Sequence, residues 1–430
     1  MCHIITPSNL LYSIKVLIAV IVGSLNCAFS FATEQHSITY KLYLDADQTN
    51  SISSGQSIEL GIRAALNEVN WKLGGHNVEL VLKDHHGSTP RSQYHLKQFL
   101  EDPHALAMFG GLHSPPLIAS RDFINEKKIL TLVPWAAATP ITRAKTNENW
   151  IYRLSLDDSK AGKVIIEDTI VKSGFTHPFL LLEDTGWGKA NKKTMTEALK
   201  SLGQKASGIH FFQWGIGQHE ARAILEDAIS QGADSFVMVA NAPEGITFAK
   251  AMLSIEKDRQ RPIRSHWGIT GGTFFDSVGA EAVNQLDLRF IQTSFSFFDE
   301  PLSPIAKEAL TSAAKVKGVN QIYPVDIKAP VGFIHAYDLT RLMIAATNEI
   351  ELSGDAKKDS GLIKTQLENL KSPVMGLIKT YQHPFEIYQT KTFDAHEALG
   401  LTDFIMAKYD SSGNIKLIRT NETTQTSISQ

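Results

Sequence analysis

The chain has 430 residues, 43% of them hydrophobic and 20% charged, with a formal net charge of −3. That length is too great for one hydrophobic core and calls for two lobes. The near-balanced charge, with no basic stripe, lacks the footprint of a nucleic-acid-binding protein.

The first 32 residues differ from the rest. Lys15 precedes an apolar run, Val16–Leu25, and Ser30-Phe31-Ala32 then offers small residues at the −3 and −1 positions. This is the pattern of a secretory signal peptide spanning 1–32 and cleaved after Ala32. An uncleaved anchor is the rival reading, but the run is shorter than the roughly 18 residues a span needs. A lipoprotein reading through Cys27 places Asn26 where Gly, Ala or Ser is wanted. The only cysteines, Cys2 and Cys27, fall in this segment. The mature chain is thus expected to carry no disulfide, no Cys-ligated metal and no Cys nucleophile, which is compatible with export to an oxidising compartment.

Beyond the leader, Ser37–Leu44 alternates and reads as a strand. A polar loop, Asp45–Ser54, leads to a helix with Ile58, Ile62, Ala65, Leu66 and Val69 on one face, ended by Gly74-Gly75. Strand Val78–Leu82 and helix Pro90–Leu100 follow, then strand Ala105–Phe109, helix Leu117–Lys127 and strand Ile129–Val133. Trp150–Leu156 precedes a helical pattern over Lys160–Lys172. The alternation continues with strand Phe179–Leu182, helix Lys189–Leu202, strand Gly208–Phe212, helix His219–Gln231, strand Ser235–Ala240 and helix Pro243–Lys257. After His266–Thr270 come a helix near Ala280–Gln285, strand Arg289–Ser296, and helices Pro304–Lys317 and Val331–Ile344. Asp403–Lys408 and Asn414–Leu417 form a hairpin pattern. Such sustained alternation predicts parallel sheets with helices on both faces. A polar tail follows Arg419.

Strand ends in such sheets hold ligands, so the loops following them are the candidate sites. Leu112–Ser114, with His113 and Ser114, follows one strand, and Ala136–Thr139, with Ala137 and Thr139, follows the next. Pro115 and Pro116 remove two backbone donors and leave the Ser114 N–H and hydroxyl as the local donors. That suits holding a carboxylate or carbonyl; a capping role is the alternative, and the GxSxG elbow of a nucleophile is absent. Thr139 offers a hydroxyl and an N–H, or else caps the next turn. Trp187, between Gly186 and Gly188 after a strand, is read as an aromatic lid or as a packing residue. Asn241-Ala242-Pro243-Glu244 and Gly268-Ile269-Thr270-Gly271-Gly272 are the matching strand ends further on. The latter is not a phosphate loop, lacking both GxGxxG spacing and a P-loop Lys. Asp84-His85-His86 is read as a polar strand end, because adjacent strand residues face opposite ways and no metal-ligand spacing accompanies them.

Taken together, several stretches resemble the type I periplasmic binding proteins, specifically the branched-chain amino acid binding proteins of ABC importers. They are GQSIELGIRAALNEVN, GLHSPP, PWAAATPIT, RLSLDDSKAG, EDTGWGKAN, GADSFVMVANAPE and PFEIYQTKTFDAHEALGL. The resemblance implies two doubly wound, Rossmann-like α/β lobes joined by three crossovers, lobe 1 from 36–154 and 289–372, lobe 2 from 155–288 and 373–430. It implies that Ser114, Ala137 and Thr139 hold a ligand carboxylate and that Trp187 closes over it from lobe 2. The GGY-x-PE strand end matches Val239–Glu244, so Asn241 lies near the family's second aromatic without preserving it. The acid of the G-x-[DE]-G loop, which pairs with an ammonium, is replaced by Thr270. A buried ammonium needs a counter-charge or full hydrogen bonding. Asp157 or Asp158 is the substitute to consider, although Asp158 equally suits an N-cap.

The expected protein is therefore a periplasmic, monomeric solute-binding protein with no cofactor, no metal and no catalysis. Its partners would be a small amino-acid-like, carboxylate or amide ligand and an inner-membrane ABC permease. A sensor subunit feeding a membrane receptor is the alternative, and a periplasmic hydrolase the remote one, since no activated nucleophile with a base is evident.

Overall fold

The computed structural model describes residues 38–419. The expected signal segment with both cysteines, and the tail after Arg419, lie outside the described residues. Strands β1 (Thr39–Ala46), β2 (Lys72–Leu73), β3 (His76–Asp84), β4 (Ala105–Gly110), β5 (Thr131–Val133) and β6 (Ile151–Arg153) build one sheet in the order β2-β3-β1-β4-β5-β6. All neighbours in it are parallel except β2 and β3. Every residue of β4 is buried, as expected of a central strand covered on both faces.

A second sheet contains β7 (Pro178–Glu183), β8 (Gly208–Phe212), β9 (Ser235–Val239), β10 (Ile263–Ser265) and β11 (Leu288–Thr293). A ribbon of β12 (Val374–Met375) and β13 (Thr380–Tyr381) stands apart, and β14 (Phe404–Tyr409) and β15 (Ile415–Leu417) complete the second sheet in the order β15-β14-β11-β10-β9-β7-β8. β7 to β11 pair in parallel, while β14 joins antiparallel to β11 and carries the terminal hairpin.

Helices α1 (Ile52–Glu68), α2 (Thr89–Glu101) and α3 (Ser114–Lys127) connect strands of the first sheet. Helices α4 (Asp158–Glu167), α5 (Gly186–Ser201), α6 (Gln218–Ser230) and α7 (Ala242–Leu253), with the short α8 (Phe274–Val278) and α9 (Ala280–Gln285), serve the second. Then α10 (Pro304–Lys317) and α11 (Pro330–Asn348) pack onto α1, and α12 (Ala356–Leu367) onto β4. The apolar face of α6 and α7, with Leu225, Phe248 and Met252, buries against Phe236 and Met238 of β9 in the core of the second lobe.

The chain crosses between the sheets three times. Two of the expected boundaries fall later than the sequence suggested. Leu288–Thr293 pairs with β10 and β14, so the return to the first lobe follows Thr293, not residue 288. Val374–Ala398 stays with the first lobe: Asp338 of α11 accepts the N–H of Leu377 at 2.6 Å, and Ala398 N–H donates to Arg153 O at 2.9 Å beside β6. The last crossing comes between Ala398 and Phe404. Both shifts have one cause, since a strand belongs to the sheet that satisfies its backbone, which hydropathy alone does not specify.

In each sheet one strand lies between two that follow it in sequence. β1 sits between β3 and β4, and β7 between β8 and β9. At such switch points the connections diverge to opposite faces and leave a crevice outside the carboxyl ends. Asp47 and His113 lie at the first crevice, and Glu183 and Asn241 at the second.

Candidate functional site

The two crevices meet in one cavity. From the first lobe it is lined by Leu112, His113, Ser114 and Pro115 at the start of α3, and by Trp135 and Ala137 after β5. The second lobe supplies Glu183 at the end of β7, Trp187 in the first turn of α5, Asn241 after β9, and Trp267 and Gly268 after β10. In this arrangement the free volume is about 10 Å³, room for about one water molecule. The lobes are closed on each other.

Ser114 is the first residue of α3, with His113 as the preceding cap. Its hydroxyl oxygen accepts the Ala138 N–H at 3.2 Å, which ties the two loops of the first lobe together and leaves its own proton to donate. Because Pro115 and Pro116 lack N–H groups, the Ser114 amide is the free donor of that helix end, where the helix dipole favours negative charge. Trp135, 1% exposed, has its indole Nε1 without a hydrogen-bond partner.

Across the cavity, α5 starts at Thr185, whose hydroxyl accepts the N–H groups of Trp187 and Gly188 at 3.2 and 3.5 Å. A Cβ on Gly188 would stand 1.8 Å from the Glu183 carbonyl oxygen, so glycine is what lets α5 close against the end of β7. Glu183 is 1% exposed, and its carboxylate accepts the Thr185 hydroxyl at 2.9 Å and the Asn241 amide at 3.0 Å. Burial pushes its carboxyl above the usual range, opposed by its hydrogen bonds to Trp214 and Thr185. Gly268 serves a similar purpose to Gly188, since a Cβ there would lie 2.3 Å from Ala240 O and 2.8 Å from the Trp187 ring.

His113 Nε2 lies 3.2 Å from Asp47 Oδ2 and 3.4 Å from Ser51 Oγ. Burial pushes the Asp47 carboxyl up, but His113 and the Asn50 and Thr49 N–H groups outweigh it and hold it below the usual carboxylate range. Serine and aspartate meet the same ring nitrogen, whereas a nucleophilic triad needs them on opposite nitrogens. The Ser51–His113–Asp47 contacts therefore lack the geometry of such a triad.

Residues 43–380 match the family described as periplasmic binding protein. The chain belongs to the periplasmic binding protein family. No curated protein matches it. A solute binding protein of an ABC transporter from Rhodopseudomonas palustris, in complex with p-hydroxybenzoic acid, superposes with a TM-score of 0.71 at 17% identity over 88% of this chain and 95% of that one. A periplasmic binding protein type 1 from Bordetella pertussis gives 0.70 at 14% identity, covering 89% and 100%. The branched-chain amino acid transporter substrate binding protein of Streptococcus pneumoniae, in complex with isoleucine, gives 0.68 at 17% identity, covering 88% and 98%. The architecture is thus the two-lobed type I fold expected from the sequence. Among the described residues, no helix of this periplasmic binding protein is long and apolar enough to cross a membrane.

Of the residues singled out in the sequence, His113, Ser114, Ala137, Trp187 and Asn241 come together around the cavity. Thr139 and Thr270 do not line it. The Thr139 hydroxyl donates to Asp157 Oδ1 at 3.0 Å, and that of Thr270 to Trp267 O at 2.7 Å, closing its own 3₁₀ turn. Trp187 is not a loop lid. It is a buried helix residue whose Nε1 donates to Asp158 Oδ1 at 3.2 Å. The helix cap after the first crossover is Asp157, not Asp158: its Oδ1 accepts the Ser159 N–H at 2.7 Å. Asp157 is also engaged by Arg153 and Arg143, which outweigh burial and hold its carboxyl low. It is therefore fully committed. Asp158, wholly buried, pairs with His266 at 3.1 Å and has Oδ2 without a partner.

Sequence reasoning missed Trp135, Glu183 and Trp267. Glu183 ended an otherwise apolar strand pattern, and a charged residue at that position, where hydrophobic burial gives no reason for it, was the available signal.

Proposed function

We propose that this chain is a periplasmic solute-binding protein that closes its two lobes over a small ligand and delivers it to an ABC importer in the inner membrane, working as a monomer and without catalysis or cofactor. One observation carries the reading: a cavity formed where the switch points of both sheets meet, with hydrogen-bond donors on the first lobe and a fixed polar group on the second. Clefts of that kind are the common ligand sites of α/β folds. The free Ser114 amide, its hydroxyl proton and the Trp135 N–H match an acceptor such as a carboxylate or amide oxygen. A carboxylate is also the group that p-hydroxybenzoic acid and isoleucine, the ligands of two fold neighbours, share. The closed volume of about 10 Å³ supports capture by lobe opening, since no multi-atom solute enters it as it stands.

The test is thermal unfolding of the mature protein against amino acids, their deaminated acids and amides. A true ligand at a hundred times its Kd adds about 2.7 kcal/mol of stability, read as a rise in Tm. The same ligand should lose affinity in Ser114→Ala. Wild-type affinity in that variant would sink the assignment of the first-lobe site.

A further inference from the structure

The second switch point carries two buried carboxylates outside the ion pairs of the described residues; His113, which acts on Glu183 from the first lobe, is itself engaged by Asp47. Glu183 lines the cavity, and Glu244, 5% exposed in the first turn of α7, is near enough to add its charge to that of Glu183. Glu244 Oε1 accepts the Gly215 N–H at 3.0 Å. Among the described residues neither carboxylate takes part in an ion pair. Other buried acids around the cleft each meet a basic side chain: Asp47 lies against His113, Asp158 against His266, and Asp157 pairs with Arg143 and Arg153. A buried carboxylate with only neutral donors is costly to keep ionised, and here Glu183 lines the cavity itself. The partners of Glu183 hold it in place without neutralising it. An ionised carboxylate has about four acceptor positions, so a place remains for a donor from the ligand. On the facing wall, Trp135 Nε1 lacks a partner although it is buried.

We infer that the captured solute carries a protonated nitrogen and a net positive charge, received by Glu183 in its Asn241–Thr185 setting, while its acceptor end meets Ser114 and Trp135. This rests on the solute-capture reading. The class is small amines bearing a carbonyl oxygen, as in basic amino acids and amino acid amides. Glu183 then takes over the charge duty that Thr270 cannot perform. A simple carboxylate such as 4-hydroxybenzoate would instead bring a further negative charge beside two that are already unpaired.

The experiment is isothermal titration of the mature protein with L-lysine, L-leucinamide, L-leucine and 4-hydroxybenzoate, each against wild type, Glu183→Gln, Glu183→Asp and Ser114→Ala. Leucine and leucinamide share side chain and ammonium and differ at one end, a carboxylate against a neutral amide that keeps one acceptor oxygen, so their ratio, read together with that of lysine to leucine, tests the preference for net positive charge. Expected are lysine or leucinamide binding at least about tenfold tighter than leucine, and a loss of roughly 10- to 150-fold in Glu183→Gln, the weight of a hydrogen bond to a charged group. Glu183→Asp should recover part of that loss, and the unfolding midpoint of each unliganded variant shows that the fold is intact. Tighter binding of leucine or 4-hydroxybenzoate, or wild-type affinity in Glu183→Gln, overturns the charge inference while leaving solute capture standing. If none of the four probes binds, the charge inference fails. Ser114→Ala, weakened for whichever probe binds, reports on the capture site separately.

Discussion

The Ser114 hydroxyl has one observed duty and one that the proposed capture reading gives it, and they separate experimentally. As acceptor for Ala138 N–H it stitches the α3 start to the loop after β5; as donor it faces the cavity. Ser114→Ala should therefore weaken ligand binding by on the order of 1–3 kcal/mol and cost about 1 kcal/mol of stability. Titration calorimetry and urea unfolding of the same sample measure the two. Thr139→Ala should behave differently, because its hydroxyl is spent on Asp157. Its expected effect is about 1 kcal/mol on stability with ligand affinity unchanged, and a binding loss equal to that of Ser114→Ala would return Thr139 to the site. His335 sets a pH dependence. It is wholly buried on α11, its Nδ1 is 3.0 Å from Pro134 O, and burial lowers its pKa from 6.5 to about 3. Below pH 6.5 the unfolded chain takes up a proton that the folded one refuses. Stability is then complete above 6.5 and lost progressively as the pH falls toward 3, by on the order of a few kcal/mol. Urea midpoints at pH 7 and 5 should differ less in His335→Phe than in wild type.

At the scale of elements, the first crossover is fixed by charge. Arg153, wholly buried on β6, is held by Glu397 at 2.7 and 2.9 Å and by Asp157, and it donates to Ala138 O at 2.9 Å in the loop that carries the cavity-lining Ala137. Asp157→Asn keeps an N-cap for α4 but removes one of the two carboxylates facing Arg153. A loss of about 3–5 kcal/mol is expected, read by chemical denaturation. A loss under 1 kcal/mol would mean that Glu397 alone suffices. This network was hidden in the sequence because Glu397 lies 244 residues from Arg153. Local patterns were legible. Helix Pro304–Lys317 was found to the residue, with Ser303 as its cap and Gly318 in the left-handed conformation behind it. By contrast α12 was passed over, since Ser360, Gly361 and the flanking lysines blur its apolar stripe. Its Asp355 cap, which accepts the N–H groups of Lys357 and Lys358, was the one clear signal. The loops of the site were legible through their strand ends. The pairing of Asp158 with His266 was not, because nothing local marks two residues that meet only when sheets are placed.

For the whole molecule, closure depends on contacts that reach from one lobe to the other. The Ser54 hydroxyl donates to Gly271 O, the Trp267 ring lies 5.1 Å from His335, and Trp214 lies 5.4 Å from His113. Trp214 differs from the others. It stands on the loop after β8, is 44% exposed, and its ring packs against His113 of the Asp47–His113 pair. Removing it takes little from either core but withdraws a cross-cleft contact, so Trp214→Ala should shift the balance toward the open form. An aromatic contact of this kind contributes about 0.5–1.5 kcal/mol. Apparent affinity scales with the population of the competent state, so Kd should rise roughly 2- to 12-fold while Tm without ligand changes little. Small-angle scattering distinguishes this from a simple loss of ligand contact. A clasp residue should give a larger radius of gyration without ligand and the wild-type value at saturation. Unchanged scattering with weakened binding would make Trp214 a wall of the Glu183 pocket instead.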